Sequence, residues 1–540
     1  MRHAEGDAMK TSDYDYVIVG AGSAGCVLAN RLSENPALRV LVLEAGGSDR
    51  RFWVKVPVGY AINYANPALN WGYHSDAEDA LNGRASYWPR GRVIGGSSSI
   101  NAMAYMRGQA RDFDDWAAAG ASGWDWAAVR AAYARIETQS DRPNTGGPVW
   151  VQNLTDQMNP FSHHFLAAAR EAGYRTLDDL NQDNSEGLGF YRSNVRNGMR
   201  WSAADAFLRP ALKRANLTLE QRAHVLRLEF DGARVNGLSY EQGGKIHRVT
   251  AHKEVILSAG AINSPQLMQL SGLGPAALLK AHGIKVHRDL PQVGEGLQDH
   301  LAVSYQFRAA QDTLNAILGR RSGRLLAGMR YVLTRRGPLA VPVNQVGGFV
   351  RSAGAEAPDV QLFCNPASYE VTPDGKVVLD RDPGYLLSAQ PCRPTSRGSV
   401  RIRSADPREA PAIRPNSLAT QADRDAAVRA SRVLHALSQT DALRSVTSAA
   451  KLPSLETMDD AAMLDEFRNR ASTVFHPSCT CRMGRDAQDS VIDARLRVHG
   501  VPGLRIADAS AFPNITSGNT NAPTMMLALR AADIILQDAG

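Results

Sequence analysis

Three glycines, Gly20, Gly22 and Gly25, follow a short apolar run at residues 16–19, and an acid, Glu44, ends the next apolar run at 39–44. That spacing suits a dinucleotide. Gly20 permits a tight turn, Gly22 lets the backbone approach a pyrophosphate, and Gly25 lets the following helix pack closely on its strand. The helix N-terminus then faces the phosphates. A carboxylate at Glu44 accepts a hydrogen bond from an adenosine ribose hydroxyl and repels a 2′-phosphate, so these residues specify FAD or NAD rather than NADP.

Other chemistry-bearing residues lie further along. Gly95 and Gly96, followed by Ser97, Ser98 and Ser99, offer backbone N–H groups and hydroxyls at a turn. They would cradle a pyrophosphate, although most Gly/Ser runs are plain loops. His476, Cys479 and Cys481 are metal-ligand types, but their spacing fits no standard zinc pattern, and we expect no metal. Phe52, Trp53, Tyr60, Tyr64, Trp71 and Tyr73 form an aromatic-rich segment after the ribose acid. Such rings serve packing first, and their faces can also hold a quaternary ammonium.

The elements that must position these groups begin with a βαβ unit: a strand at 16–19, a helix through Ser33 and a strand at 39–44. Strand-like runs return at 217–219, 225–230 and 255–257, and a strand at 504–507 and a helix at 524–536 close the chain. Nucleotide-fold pieces thus lie at both ends. The expected architecture is α/β, a Rossmann-like nucleotide-binding domain made of residues 12–145, 215–300 and 473–540. Residues 146–214 and 301–472 are expected to form an inserted α+β substrate domain.

A chain of 540 residues with 44% hydrophobic and 21% charged residues has the composition of an ordinary globular enzyme. The net charge of +7 comes from scattered arginines, with no nucleic-acid module, so no nucleic-acid partner is expected. One stretch differs: at 318–336, Arg320, Arg321, Arg324, Arg330, Arg335 and Arg336 alternate with leucines and other apolar residues. It reads as a solvated helix with one buried stripe or as an amphipathic helix on an anionic membrane, the first being the commoner case. Five cysteines do not make a small-domain disulfide framework, and no apolar run approaches the roughly 18 residues of a membrane span. A cytoplasmic location follows, with membrane contact peripheral at most. The first ten residues read as a disordered lead, with Met9 an alternative start.

Several longer stretches carry a resemblance. They are Glu44-Ala45-Gly46-Gly47, residues 91–103, 260–274, 293–300 and 476–484, and Asp508-Ala509-Ser510 with 518–524. In this order, from Tyr14 to Ile535, they resemble the glucose-methanol-choline (GMC) oxidoreductases and, among them, bacterial FAD-dependent alcohol and choline dehydrogenases. The resemblance implies FAD as cofactor. It maps the FAD contacts onto Gly20, Gly22, Ser23, Gly25, Glu44, Ala45, Arg92, Gly95, Gly96, Ser97, Asn101, Ala102, Val225, Asp508, Ala509 and Asn519.

It also implies the chemistry. His476 matches the family's base, which accepts the alcohol proton while the carbinol hydride passes to flavin N5. Asn519, aligned through Pro523 in preference to Asn521, matches the partner that hydrogen-bonds the substrate oxygen. Some members attach FAD covalently through a His at the position of Ile100, so noncovalent FAD is expected here. Many members carry Gly where this chain has Cys479. The implied substrate is a primary alcohol, with choline as the alternative, and the implied acceptor is a quinone or other carrier, with oxygen as the alternative. A flavin-dependent lyase, a photodecarboxylase or a noncatalytic flavin-binding protein are the rival readings.

Overall fold

The strand Ser12–Val19 lies inside a seven-stranded sheet, its apolar end at 16–19 flanked by the buried residues 40–43 and 255–257. The computed structural model describes residues 12–142, 146–183, 185–372, 377–451 and 455–539. The expected lead over residues 1–10 lies outside them. Across the sheet the order is Leu217–Gln221, Val40–Glu44, Ser12–Val19, Lys245–Leu257, Arg234–Gln242 and His224–Asp231. The first four run parallel and the last two antiparallel. Burial on both faces suits the parallel part, and Val40–Glu44 is buried throughout.

Lys245–Leu257 is much longer than the 255–257 that its apolar run signals. Its first half is polar and forms a hairpin with Arg234–Gln242 through Gly243 and Gly244, both at positive φ. Beyond the hairpin, Val255 to Leu257 pair instead with Leu504–Ile506 in parallel. The helix Ser23–Leu32 packs against the closing helix Asn521–Asp538, which buries Met525, Met526, Leu527 and Leu529. Each such side chain contributes about 2 kcal/mol when fully buried.

A second seven-stranded sheet is wholly antiparallel in its core. Its order is Thr447–Ala450, Leu301–Ala309, Gly384–Pro391, Val360–Asn365, Val346–Val350 and Gly187–Phe190, with Ser472–Thr473 also pairing to Leu301–Ala309. The helix Gln421–Ser438, capped by Thr420 Oγ1 accepting from the Asp423 N–H, covers one face through Val433, Leu434 and Leu437. The mixed α/β architecture agrees with the reading from sequence, and the segment at 318–336 folds as the helix Arg321–Thr334.

Candidate active site

Between the two sheets lies a cavity of about 1090 Å³, larger than most small-molecule pockets and lined from both sides. One end is built from the opening βαβ unit. Gly20 sits at φ +97, and a Cβ there would fall 2.7 Å from the Ser258 carbonyl oxygen. A Cβ on Gly25 would fall 1.9 Å from the Gly20 carbonyl oxygen, so helix and strand touch backbone to backbone. Gly96 abuts Gly22 in the same way, its Cβ position lying 2.7 Å from the Gly22 Cα. A Cβ on Gly22 would meet no protein atom within 3.8 Å, its nearest being 3.9 Å away, and Gly22 itself lines the cavity. Glycine there leaves bare backbone facing the cavity.

The helix Ser23–Leu32 has no side-chain N-cap. Its N-terminus is joined at the cavity by those of Gly260–Leu270 and Asn521–Asp538, and Ser23 Oγ donates to Asn521 Oδ1 (2.7 Å). Three helix dipoles therefore direct positive potential inward, a fit for a pyrophosphate. Glu44 is buried at the end of its strand and accepts from the Ala21 N–H (2.9 Å) and the Gly46 N–H (2.8 Å). Burial pushes its carboxyl up to about 7, against the pull of those two N–H groups and of Arg92. Asp508 accepts from the Gly260 N–H (2.8 Å) and Ser264 Oγ (2.6 Å), which anchors the helix Gly260–Leu270, and burial raises its pKa.

The other end holds the imidazoles. Nε2 of His300 lies 2.8 Å from the Cys392 carbonyl oxygen, which can only accept, so His300 carries its proton on Nε2 and a lone pair on Nδ1. That Nδ1 is 2.9 Å from Nδ1 of His476, which must then bear the proton. Nε2 of His476 is left with its lone pair, 3.1 Å from the Asn519 Nδ2 amide. Gln361 Nε2 donates to Asn519 Oδ1 (3.4 Å) and so turns the amide N–H toward His476. Burial drives both imidazoles toward the neutral form: His300 falls to about 4, and His476 drops well below the ordinary value, with His300 and Arg90 adding to the effect.

The loop bearing His476 is held firmly. Its backbone N–H donates to Asp299 Oδ1 (2.7 Å), whose carboxyl burial raises to about 6. Arg90, lowered to about 10 by burial, donates to the Phe475 carbonyl (2.9 Å) and to Ser97 Oγ (2.8 Å), tying this loop to the Gly-Ser turn. Asn101 Oδ1 accepts from the buried Arg200 (2.9 Å). Cys479 lies beyond the loop at φ +72, fully buried, its thiol 3.4 Å from Gln298 Oε1.

Of the residues singled out from sequence, Gly20, Gly22, Ser23, Glu44, Ala45, Gly96, Ser97, Asn101, Ala102, Val225, Asp508, Ala509, His476 and Asn519 all line this cavity. Gly25 and Gly95 support it from behind the wall. Arg92 stands aside, its guanidinium 4.7 Å over the Trp71 ring. The aromatic segment divides: Tyr73 is buried, Phe52 is exposed, and Trp53, Tyr60, Tyr64 and Trp71 line the cavity. Sequence reasoning gave no role to His300, Arg90 or Gln361. His300 ends the stretch at 293–300 that carries the resemblance, so a signal was present there; a glutamine inside an apolar strand gives none.

Comparison with known proteins agrees with this geometry. Two GMC oxidoreductase family models match, the N-terminal one over residues 14–302 and the C-terminal one over 394–528. The chain is 40% identical to human mitochondrial choline dehydrogenase, over 97% of this chain and 90% of that one. It is 39% identical to an alcohol dehydrogenase [acceptor] of Pseudomonas putida, over 97% and 96% respectively. Its fold superimposes on the crystal structure of pyridoxine 4-oxidase from Mesorbium loti with a TM-score of 0.87 and 31% identity, covering 96% of this chain and 98% of that one. With its sequence matched along nearly its whole length and its fold shared, the chain belongs to the GMC oxidoreductase family.

Proposed function

We propose that the protein oxidises a primary alcohol to its aldehyde, with noncovalently bound FAD along the glycine end of the cavity and His476 as the base. Bound FAD supplies the hydride acceptor, flavin N5. The contacts that hold it are Gly20, Gly22, Ser23, Glu44, Ala45, Gly96, Ser97, Asn101, Ala102, Val225, Asp508 and Ala509, with Gly25, Gly95 and Arg92 behind them. Ile100 lines the cavity with a hydrocarbon side chain that offers no atom for a covalent link, which supports noncovalent binding. In this reading residues 12–145, 215–300 and 473–540 are the FAD domain, and 146–214 and 301–472 the substrate domain.

The observation that carries the proposal is the neutral His476, with its Nε2 lone pair beside the Asn519 N–H at the cavity wall. A substrate hydroxyl meeting this pair finds a proton acceptor and a hydrogen-bond donor together. His476 Nε2 takes the hydroxyl proton, and Asn519 Nδ2 donates to the oxygen as negative charge grows on it. His300 Nδ1, accepting from His476 Nδ1–H, steadies the imidazolium that results.

Among the described lining residues the only acids are Glu44 and Asp508, both at the glycine end. Beyond the glycine end the cavity is lined by Leu314, Leu318, Leu339, Val343 and Leu386 together with Ser304, Asn365 and Ser388, and by Arg324. An alcohol with an apolar tail suits the aliphatic side chains of this wall, and choline is the alternative, its cation held by the aromatic faces among the lining residues. The likeness to an acceptor-type alcohol dehydrogenase supports a quinone or other carrier as the oxidant of the reduced enzyme. We place the protein in the cytoplasm, with membrane contact peripheral at most.

Anaerobic mixing of the purified protein with a panel of alcohols, choline included, tests this by the flavin's visible absorbance. One alcohol is expected to bleach it, and His476→Ala to slow the bleaching by about 10² to 10⁴. A flavin that dithionite reduces but no alcohol bleaches would overturn the reading in favour of a lyase, photochemical or binding role.

A further inference from the structure

The helix Arg321–Thr334 buries only two residues, Ala327 and Tyr331, one turn apart. At about 100° per residue, Leu325, Leu326, Met329, Val332 and Leu333 fall on the face turned away from that stripe. All five are exposed, Leu333 at 83% and Leu325 at 66%. A solvated helix with one buried stripe has no use for a second apolar face. This one is flanked by cations: Arg320, Arg321, Arg324, Arg330, Arg335 and Arg336 are exposed, and no acidic residue occurs from position 318 to 336.

A second exposed apolar group lies on the inner side of the helix. The Phe52 ring lies 6.4 Å from that of the buried Tyr331 and 5.1 Å from Trp53, and both Phe52 and Trp53 are exposed beside the exposed Arg50 and Arg51. Trp53, Ile62 and Arg324 are exposed and at the same time line the cavity, so this second group and the helix's Arg324 sit at the cavity's mouth. A patch of this make-up marks an interaction site.

We propose that this face docks on an anionic phospholipid surface, with the helix Arg321–Thr334 lying in the interface and the cavity mouth opening toward the lipid. Leucines and methionine on one side enter the acyl boundary, while arginines on both flanks reach the phosphates. No helix among those described is long and apolar enough to cross a membrane, so the contact is peripheral. A second copy of the chain fits this face poorly, since a two-fold contact would press two arginine clusters together with no acid within residues 318–336 to offset them. With the mouth at the interface, an apolar reactant dissolved in lipid reaches the cavity without crossing bulk water. The inference concerns surface and charge, and it stands apart from the chemistry proposed above.

Sedimentation of the holoenzyme with vesicles tests it. Phosphatidylcholine vesicles carrying about one third phosphatidylglycerol are expected to pull the protein down, pure phosphatidylcholine far less, and high salt to weaken the binding. Leu326→Glu combined with Leu333→Glu is expected to cut the bound fraction about tenfold. The same variant should keep its flavin and its rate with a water-soluble alcohol and dye. Protein that stays in the supernatant with both vesicle types overturns the proposal. So does a dimer in vesicle-free solution that this variant converts to monomer, which would assign the face to a second copy. Vesicle binding is read without turnover, so a failure to oxidise alcohols would leave this result standing, and the reverse.

Discussion

His476 owes its proton state to a carbonyl that never touches it. The Cys392 oxygen fixes the tautomer of His300, His300 fixes that of His476, and the free lone pair ends at the cavity. Because burial and His300 lower the His476 pKa well below 6.5, the base form persists on mild acidification and is lost only as pH falls through that lowered value. The expected kcat/KM for an alcohol is therefore level through pH 6.5, where an ordinary histidine would be half protonated, and declines only below it. A midpoint at or above 6.5 would contradict the neutral pair. Cys479 makes a different prediction. It holds φ +72, a conformation that costs an L-residue about 1–2 kcal/mol and suits the glycine that the resemblance implies at this position. Cys479→Gly and Cys479→Ala both lose the thiol, but only Ala keeps the strain. In urea unfolding the Gly variant is expected to be the more stable by about 1 kcal/mol.

At the level of elements, what was legible in the sequence is what local chemistry dictates. The opening unit follows from its glycines and apolar runs, and the strands Ser12–Val19 and Val40–Glu44 and the helix Ser23–Leu32 form close to where those residues set them. The polar first half of Lys245–Leu257 was illegible, because a strand on a hairpin ribbon needs a partner more than an apolar face. The helix Arg321–Thr334 was legible as a helix, but which of its faces turns inward depended on contacts the sequence does not encode locally. The helix–strand contact at Gly25 gives the test at this scale. Gly25→Ala would set a methyl carbon 1.9 Å from the Gly20 carbonyl oxygen and force the helix off its strand. The variant is expected to purify with little or no flavin, seen as a loss of visible absorbance per mole of protein; wild-type flavin content would show the close packing to be dispensable.

Across the whole molecule, the site assembles from segments that local reading cannot connect. His300 and His476 stand 176 positions apart, and Gln361 and Asn519 stand 158 apart, yet each pair is in hydrogen-bond contact. Sequence motifs picked out the residues of the first sheet that line the cavity, because each motif is itself a local backbone shape. The second sheet's contribution, Gln361 above all, became visible only once the two sheets faced each other. The pairing of Leu504–Ile506 with the end of Lys245–Leu257 carries a further consequence, in time. As the chain is synthesised, that edge of Lys245–Leu257 stays open until Leu504–Ile506 emerge, and the helix Asn521–Asp538 arrives later than the helix Ser23–Leu32 it packs against. The protein therefore spends much of its synthesis with an apolar strand edge unpaired and depends on slow, long-range closure, in a way that makes chains terminated before that pairing prone to aggregate.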